Sequence, residues 1–420
     1  ISRYSANGSM ADCGTSAPEA AARRANSFLS TDCRCMILSC ACSPVAGLSG
    51  VSAGFTVISP QTGTCKPRAD NVKKRACAFA RTHPNIYKAG FGHANAHYVR
   101  HWRIISVMTQ AVLLFPGQGS QESGMGRDLA EASSDAMNLW KQAERISALP
   151  LREIYWEGDD AAMSDTRALQ PALTVVNLNL WSAVAARAAV CGAAGHSLGE
   201  FSAMAAASVI SAECALELTA LRGRLMAEAD PEGKGGMAAL LKLDQPTIEE
   251  IVAETIAQCG ELLLVANYNT PGQLVISGTK AAVALACQKA KERKGRGLEL
   301  KVSGAFHSPM MAEANKELAP LLRKAVWSKP KFPVYCNAHG KAVTDGESAR
   351  ESLLVQMTSS VQWIETVRNQ YADGARRWLE LGPKAVLGKM VAPCLAGTAT
   401  ADDLAIELVN NAETAAAFAG

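Results

Sequence analysis

The sequence lacks the features that would place it among nucleic-acid binders, membrane proteins or zinc modules. Its 42 Lys+Arg against 39 Asp+Glu leave a formal net charge of +3 over 420 residues, too little for the basic field that nucleic acid requires. No stretch reaches the roughly 20 apolar residues of a membrane helix. The uncharged segment from Cys35 to Thr64 is diluted by Pro44, Pro60, glycines and serines. Zinc spacing is missing too, because Cys33-x-Cys35 and Cys40-x-Cys42 have one-residue spacers and no suitably spaced histidine pair follows. No internal repeat is evident. Nucleic acid, membrane and zinc are therefore left out of the expected partners.

What is present divides in two. Residues 1–107 hold 13 Lys+Arg and 4 Asp+Glu, a net of +9, which leaves 29 against 35, a net of −6, for residues 108–420. Seven of the 13 cysteines fall in the first part, and the other six are scattered singly, as in reduced thiols of an intracellular enzyme. No periodic apolar face develops before about residue 104. Met108 stands three residues ahead of the apolar run Ala111 to Phe115 and looks like a natural start. Residues 1–107 are expected to be a non-core, disordered leader. Its origin is either an expression-derived or over-extended reading frame or, from its Arg, Ser and Ala content, an organelle transit peptide.

The body alternates strands and helices, which predicts a parallel sheet covered on both faces. Helices are expected over Asp128–Ser147, over Pro171–Ala189 with Pro171 in the first turn, over Leu198–Ser208 and over Ser211–Ala229. The segment 235–302 instead reads βαββαβ, a ferredoxin-like arrangement, with a turn at Thr270-Pro271-Gly272. The fold class is thus α/β, a large hydrolase-like domain (108–234 and 303–408) with a small inserted domain (235–302) and a cleft between them. A helix over Ala312–Val326 is expected to break near Pro320.

Four segments carry chemistry. Gly195-His196-Ser197-Leu198-Gly199-Glu200 sets a serine between glycines, after the strand Val190–Gly195 and before a helix, the pattern of a nucleophile elbow. Leu114-Phe115-Pro116-Gly117-Gln118-Gly119-Ser120-Gln121 is a glycine-punctuated turn whose N–H groups can face a ligand. Leu221-Arg222-Gly223-Arg224-Leu225-Met226 and Gly304-Ala305-Phe306-His307-Ser308-Pro309-Met310-Met311 follow downstream. A guanidinium can bind a carboxylate by two parallel hydrogen bonds, and Met226, four residues from Arg222, shares its helix face. Of three histidines beyond residue 107, His196 adjoins the serine and His339 sits in a turn-like Asn337-Ala338-His339-Gly340. Between Ser197 and His307 the only aspartates are Asp230 and Asp244, neither at a large-domain strand end, so no aspartate is expected to serve as a triad acid.

Together, in this order, these segments resemble the malonyl-CoA:acyl-carrier-protein transacylases, over about Met108 to Ala396. The resemblance implies Ser197 as nucleophile, His307 as base, and the N–H groups of Gln118 and Leu198 as oxyanion donors. It also implies the main-chain carbonyl of Gln356 as the acceptor that orients the histidine, Arg222 as the carboxylate fork, and Phe306 as a ring that limits α-substituents. Malonyl-CoA and phosphopantetheinylated acyl-carrier protein are the implied substrates, in a ping-pong transfer that uses no metal and no bound cofactor and feeds fatty-acid synthesis. The protein is expected to be a cytoplasmic monomer, or plastid or mitochondrial if the leader is a transit peptide. A serine thioesterase or esterase on the same elbow, a polyketide-type acyltransferase and a non-catalytic carrier-docking module are the alternatives.

Overall fold

The computed structural model describes residues 110–420 and, ahead of them, one antiparallel pair, Cys40–Ala41 with Gly54–Phe55. The remaining expectations for residues 1–107 lie outside the described residues. From residue 110 the chain opens on strand β1 (Ala111–Phe115), buried along its whole length. Where one helix is expected over Asp128–Ser147, Ser133 divides two. It adopts an extended φ of −139° and accepts the Ala136 N–H, so it ends Arg127–Ala132 and caps α1 (Ser134–Ser147).

Helix α2 (Thr166–Val184) starts five residues before Pro171, because the Asp165 carboxylate accepts the Arg167 N–H at 3.0 Å and caps it there. Pro171 therefore lies inside the helix. Burial of nearly every side chain from Ala168 to Leu180 holds the helix despite the one donor that proline removes. Strand β2 (Val190–Gly195) leads into α3 (Gly199–Ala206), and Ser211, accepting from Cys214, caps α4 (Ala212–Glu228), which packs along α2.

The next segment is β3 (Gly235–Leu241), α5 (Gln245–Cys259), β4 (Leu263–Thr270), β5 (Gln273–Thr279), α6 (Lys280–Glu292) and β6 (Arg296–Glu299). The four strands form an antiparallel sheet in the order β4-β5-β3-β6, the split arrangement that βαββαβ implies. Asp244 caps α5, and Gly260, at φ 68°, ends it in the left-handed region. The apolar faces of both helices close over Ala238, Leu240, Leu274 and Ile276.

The chain then returns through α7 (Ala312–Lys324), β7 (Val334–Tyr335), β8 (Ala342–Val343), α8 (Gly346–Gln356), α9 (Trp363–Ala372), β9 (Arg377–Leu381), α10 (Gly388–Cys394), β10 (Ala405–Val409) and α11 (Ala412–Ala417). Pro320 does not break α7. It and Lys316, whose carbonyl loses its donor, are both exposed, so water can satisfy that group. The large sheet runs β8-β7-β2-β1-β9-β10, parallel except for the β8 edge, with helices on both faces. This α/β architecture bears out the fold class read from the sequence. Strands β1 and β2 are central, and both end at the same edge of the sheet, where Phe115 pairs with Gly195. Loops at the carboxyl ends of central strands are where such sheets present ligand-binding groups.

Candidate active site

The turn between β2 and α3 bends within three residues. Ser197 takes φ 50°, a left-handed conformation that costs a non-glycine residue about 1–2 kcal/mol. Its neighbours are glycines for space, since neither Gly195 nor Gly199 has positive φ. A methyl group on Gly195 would overlap the Gly199 backbone, and one on Gly199 would overlap the Phe115 carbonyl. Gly117, in the loop after β1, lies against the His196 carbonyl, where a methyl group would also clash. A side chain at Gly117 or Gly199 would force the elbow and the loop apart, and one at Gly195 would open the elbow itself.

Ser197 Oγ lies 2.8 Å from His307 Nε2. His307 also has positive φ, 55°, and is almost wholly buried. Its Nδ1 faces two main-chain carbonyls, Gln356 at 3.1 Å and Ser359 at 3.0 Å. Because carbonyls only accept, Nδ1 carries the hydrogen and Nε2 is left with a free lone pair toward the serine. No carboxylate takes this place. Asp230 accepts the Lys234 and Gly235 N–H groups, and Asp244 accepts that of Thr247.

Arg222, in α4, is 1% exposed and reaches the same point. Its Nη2 donates to Ser197 Oγ at 3.1 Å and to Gln356 Oε1 at 3.0 Å, and its Nη1 donates to Gln170 Oε1 at 2.8 Å. Among the described residues its Nε–H has no partner, and its hydrogen-bond acceptors are neutral oxygens. Met226, one turn on, is buried and accepts from Gln170 Nε2 at 3.2 Å, so it steadies the amide that holds Arg222. Phe306 is buried in the same apolar cluster as Met226. Leu198 stands at the start of α3, while Gln118 is exposed in the loop after β1. Among the described residues neither main-chain N–H meets an acceptor.

A serine, a histidine and an arginine converging beside an open helix start is an arrangement for acyl chemistry. Comparison with known proteins gives it a family. Residues 112–412 match the model of the acyl transferase domain. The malonyl CoA-acyl carrier protein transacylase of Bacillus subtilis (strain 168) is 36% identical over 290 residues, covering 68% of this chain and 90% of that protein. The chain belongs to the malonyl-CoA:acyl-carrier-protein transacylase family. An acyl carrier protein S-malonyltransferase from Vibrio cholerae O1 biovar eltor superposes with a TM-score of 0.68 at 33% identity, over 73% of this chain and 99% of that one. The same TM-score and identity relate it to the transacylase of PlMCAT:AntF, a type II PKS acyl-carrier protein in complex with its malonyl-transacylase, over 73% and 98% of the two chains.

This malonyl-CoA:acyl-carrier-protein transacylase family member is an acyltransferase whose site rests on further residues that motif reading alone passes over. Gln356 contributes its side chain as well as its carbonyl. Its Nε2 donates to the Ser197 carbonyl at 2.8 Å and to Glu200 Oε2 at 2.7 Å. Asn337 accepts the Ser197 N–H at 2.6 Å and donates to the Gly195 carbonyl at 2.7 Å. Asn269, from β4 of the small sheet, bonds His196 Nε2 at 2.8 Å. Ser359 sits beside the bridge that joins Val361 to that same strand. Two faint signals were available in the sequence: Gln170 is a lone amide ahead of the apolar run Pro171–Val176, and Glu200 opens a helix of small residues.

Burial dominates the electrostatics. It pushes His307 down to about 3, helped by the nearby Arg222 and His196, so the imidazole is neutral at pH 7. Burial pushes Glu200 up to about 7 against its bonds to Gln356 and Asn337. It lowers Arg222 to about 10, with Glu200 opposing, which leaves the guanidinium charged. Among the described residues no cluster of His, Cys, Asp and Glu could hold a metal, and no helix is long and apolar enough to cross a membrane.

Proposed function

We propose that this chain transfers malonyl from malonyl-CoA to the phosphopantetheine thiol of acyl-carrier protein through a malonyl-Ser197 intermediate. Ser197 Oγ attacks the thioester carbonyl while its proton passes to His307 Nε2. The oxyanion is met by the N–H groups of Leu198 and Gln118, each worth about 2.7–4 kcal/mol of transition-state stabilisation in such sites. Coenzyme A leaves as the thiol, taking the proton back from His307. In the second half-reaction the carrier thiol gives its proton to His307 and attacks the acyl carbon, and Ser197 leaves as the hydroxyl. The scheme calls for no metal and no bound cofactor. Gln356 and Ser359 hold the imidazole in the tautomer that both half-reactions use.

The observation that carries this reading is the buried, charged Arg222, 3.1 Å from the serine and hydrogen-bonded only to neutral oxygens. A positive charge with no carboxylate hydrogen-bonded to it, and with only Glu200 acting on it from further off, suits, beside a nucleophile, a substrate that brings its own carboxylate. A thioesterase for neutral acyl groups has no use for it. Met226 and Phe306 complete the acyl pocket in this reading. The likeness to a transacylase in complex with its carrier protein supports acyl-carrier protein as the acceptor, and we assign the protein to the cytoplasm as a monomer that feeds fatty-acid synthesis.

Incubation of the full chain with malonyl-CoA, followed by intact-mass and peptide analysis, tests the proposal. One malonyl adduct on Ser197 is expected, discharged by holo acyl-carrier protein and absent from Ser197→Ala. A stable adduct on another residue, or none, would overturn it.

A further inference from the structure

We propose that Asn337 is a positioning residue for the nucleophile, its carboxamide clamping the elbow backbone on both sides of His196 so that Ser197 keeps the conformation that aims Oγ at His307. The inference rests on Ser197 being the nucleophile. It starts from the way two strands part. β2 and β7 pair in parallel through Ala193 with Val334 and Ala194 with Tyr335, and the named pairing stops there. One step further, the elbow turns away, and no main-chain group of the β7 exit bonds the Gly195 carbonyl or the Ser197 N–H. The Asn337 side chain meets both. Its Oδ1 accepts from Ser197 N at 2.6 Å and its Nδ2 donates to Gly195 O at 2.7 Å. A carboxamide offers the same acceptor and donor as a peptide group, so Asn337 supplies the rung that the parting strands cannot.

The clamp is itself anchored. Asn337 is 1% exposed, its own N–H donates to Glu200 Oε2 at 3.3 Å, and its carbonyl accepts the Gln362 N–H at 2.8 Å. Glu200 Oε2 also takes Gln356 Nε2, whose other bond is to the Ser197 carbonyl. Both main-chain polar groups of the strained serine are therefore gripped by side-chain amides, and one carboxylate oxygen ties the Gln356 amide to the main chain of Asn337. An unclamped Ser197 would be free to relax from φ 50° toward ordinary backbone values, which swings Oγ away from Nε2.

The test compares wild type with Asn337→Ala and Asn337→Asp in the full chain. The first readout is labelling of Ser197 by phenylmethanesulfonyl fluoride, a small uncharged probe that needs the nucleophile and its base but no carboxylate fork. The second is the split of kcat from KM with malonyl-CoA. Asn337→Ala is expected to slow labelling and kcat together by about 10²-fold, the scale of a misplaced reacting group, with KM little changed. Asn337→Asp keeps the acceptor for Ser197 N–H but loses the donor to Gly195, and should fall between; it carries the test if the alanine variant does not fold. Ile276→Ala, a cavity in the small sheet, should lower the melting temperature and leave labelling unchanged. Labelling and kcat within twofold of wild type in the folded Asn337 variants, or an equal loss in Ile276→Ala, would overturn the clamp. A wild-type protein that takes no label on Ser197 would instead overturn the nucleophile assignment itself.

Discussion

Ser197 and Leu198 reach their positions through a turn of a few residues, whereas Arg222 depends on Gln170 and Gln356, 52 and 134 positions away in the chain. The side of the proposed nucleophile is shaped first by backbone: one left-handed serine, close glycine contacts and N–H groups at a helix start. The anion side is shaped by buried side chains, one cation among amide oxygens, held where α2, α4 and α8 converge. The difference teaches that the two jobs of the site can fail separately. Damage to the backbone side should slow every acyl group alike, and damage to an amide that holds only Arg222, such as Gln170, should fall on the substrate that carries a carboxylate.

The largest effect expected from breaking one side alone comes from His307→Ala. General-base assistance is commonly worth about 10²–10⁴-fold, and single-turnover acylation should fall by that much for malonyl and acetyl thioesters in equal proportion. A loss confined to malonyl would move His307 to the anion side. Next comes Gln170→Ala, which removes the acceptor of Arg222 Nη1. A hydrogen bond to a charged group is worth about 1.5–3 kcal/mol, so KM for malonyl-CoA should rise about tenfold or more, with acetyl transfer unaffected. Parallel changes for both thioesters would blur the division.

The smallest effect is in stability. His307 is held near 3 in the folded protein against an ordinary 6.5, so between those values the unfolded chain binds the extra proton. Stability from this group is therefore lost as pH falls below 6.5, by at most about 1.4 kcal/mol per pH unit. Glu200, raised from 4.5 to about 7, acts in the opposite direction, since there the folded protein binds the extra proton. That contribution is shared by wild type and His307→Gln and cancels between them. Urea midpoints of the two proteins at pH 7.5 and 5.5 should show wild type losing more on acidification, and parallel shifts would contradict the buried neutral imidazole.

Legibility in the sequence follows the same division. The element order of the small sheet can be read from the sequence, because Asp244, Gly260 and Thr270-Pro271-Gly272 punctuate its periodic runs, although the strand ends differ by up to three residues. Pro171 misleads, since its favoured place in a first helical turn is overridden by the Asp165 cap and by burial of the surrounding helix. Helix α9 and the closing elements β10 and α11 escape notice. They are short, and their stability comes from packing against distant parts of the chain. Within the site, Ser197, His307 and Arg222 stand in local motifs, while the Gln356 carbonyl comes only with the family resemblance. Asn337, Ser359, Gln170 and the Gln356 side chain act through contacts between residues far apart in sequence, which no local pattern announces.

The most direct test of the central claim, a nucleophile shared by any acyl group and a separate fork for malonyl, is kcat/KM for malonyl-CoA and acetyl-CoA in wild type and Arg222→Ala. The account predicts that the variant loses malonyl transfer by about 10²-fold or more, as expected when a charged pair is broken. Acetyl transfer should hold or improve, because the unpaired buried cation that disfavours a neutral acyl group is gone. Equal proportional losses for the two thioesters would contradict it and reduce Arg222 to a structural support of the elbow.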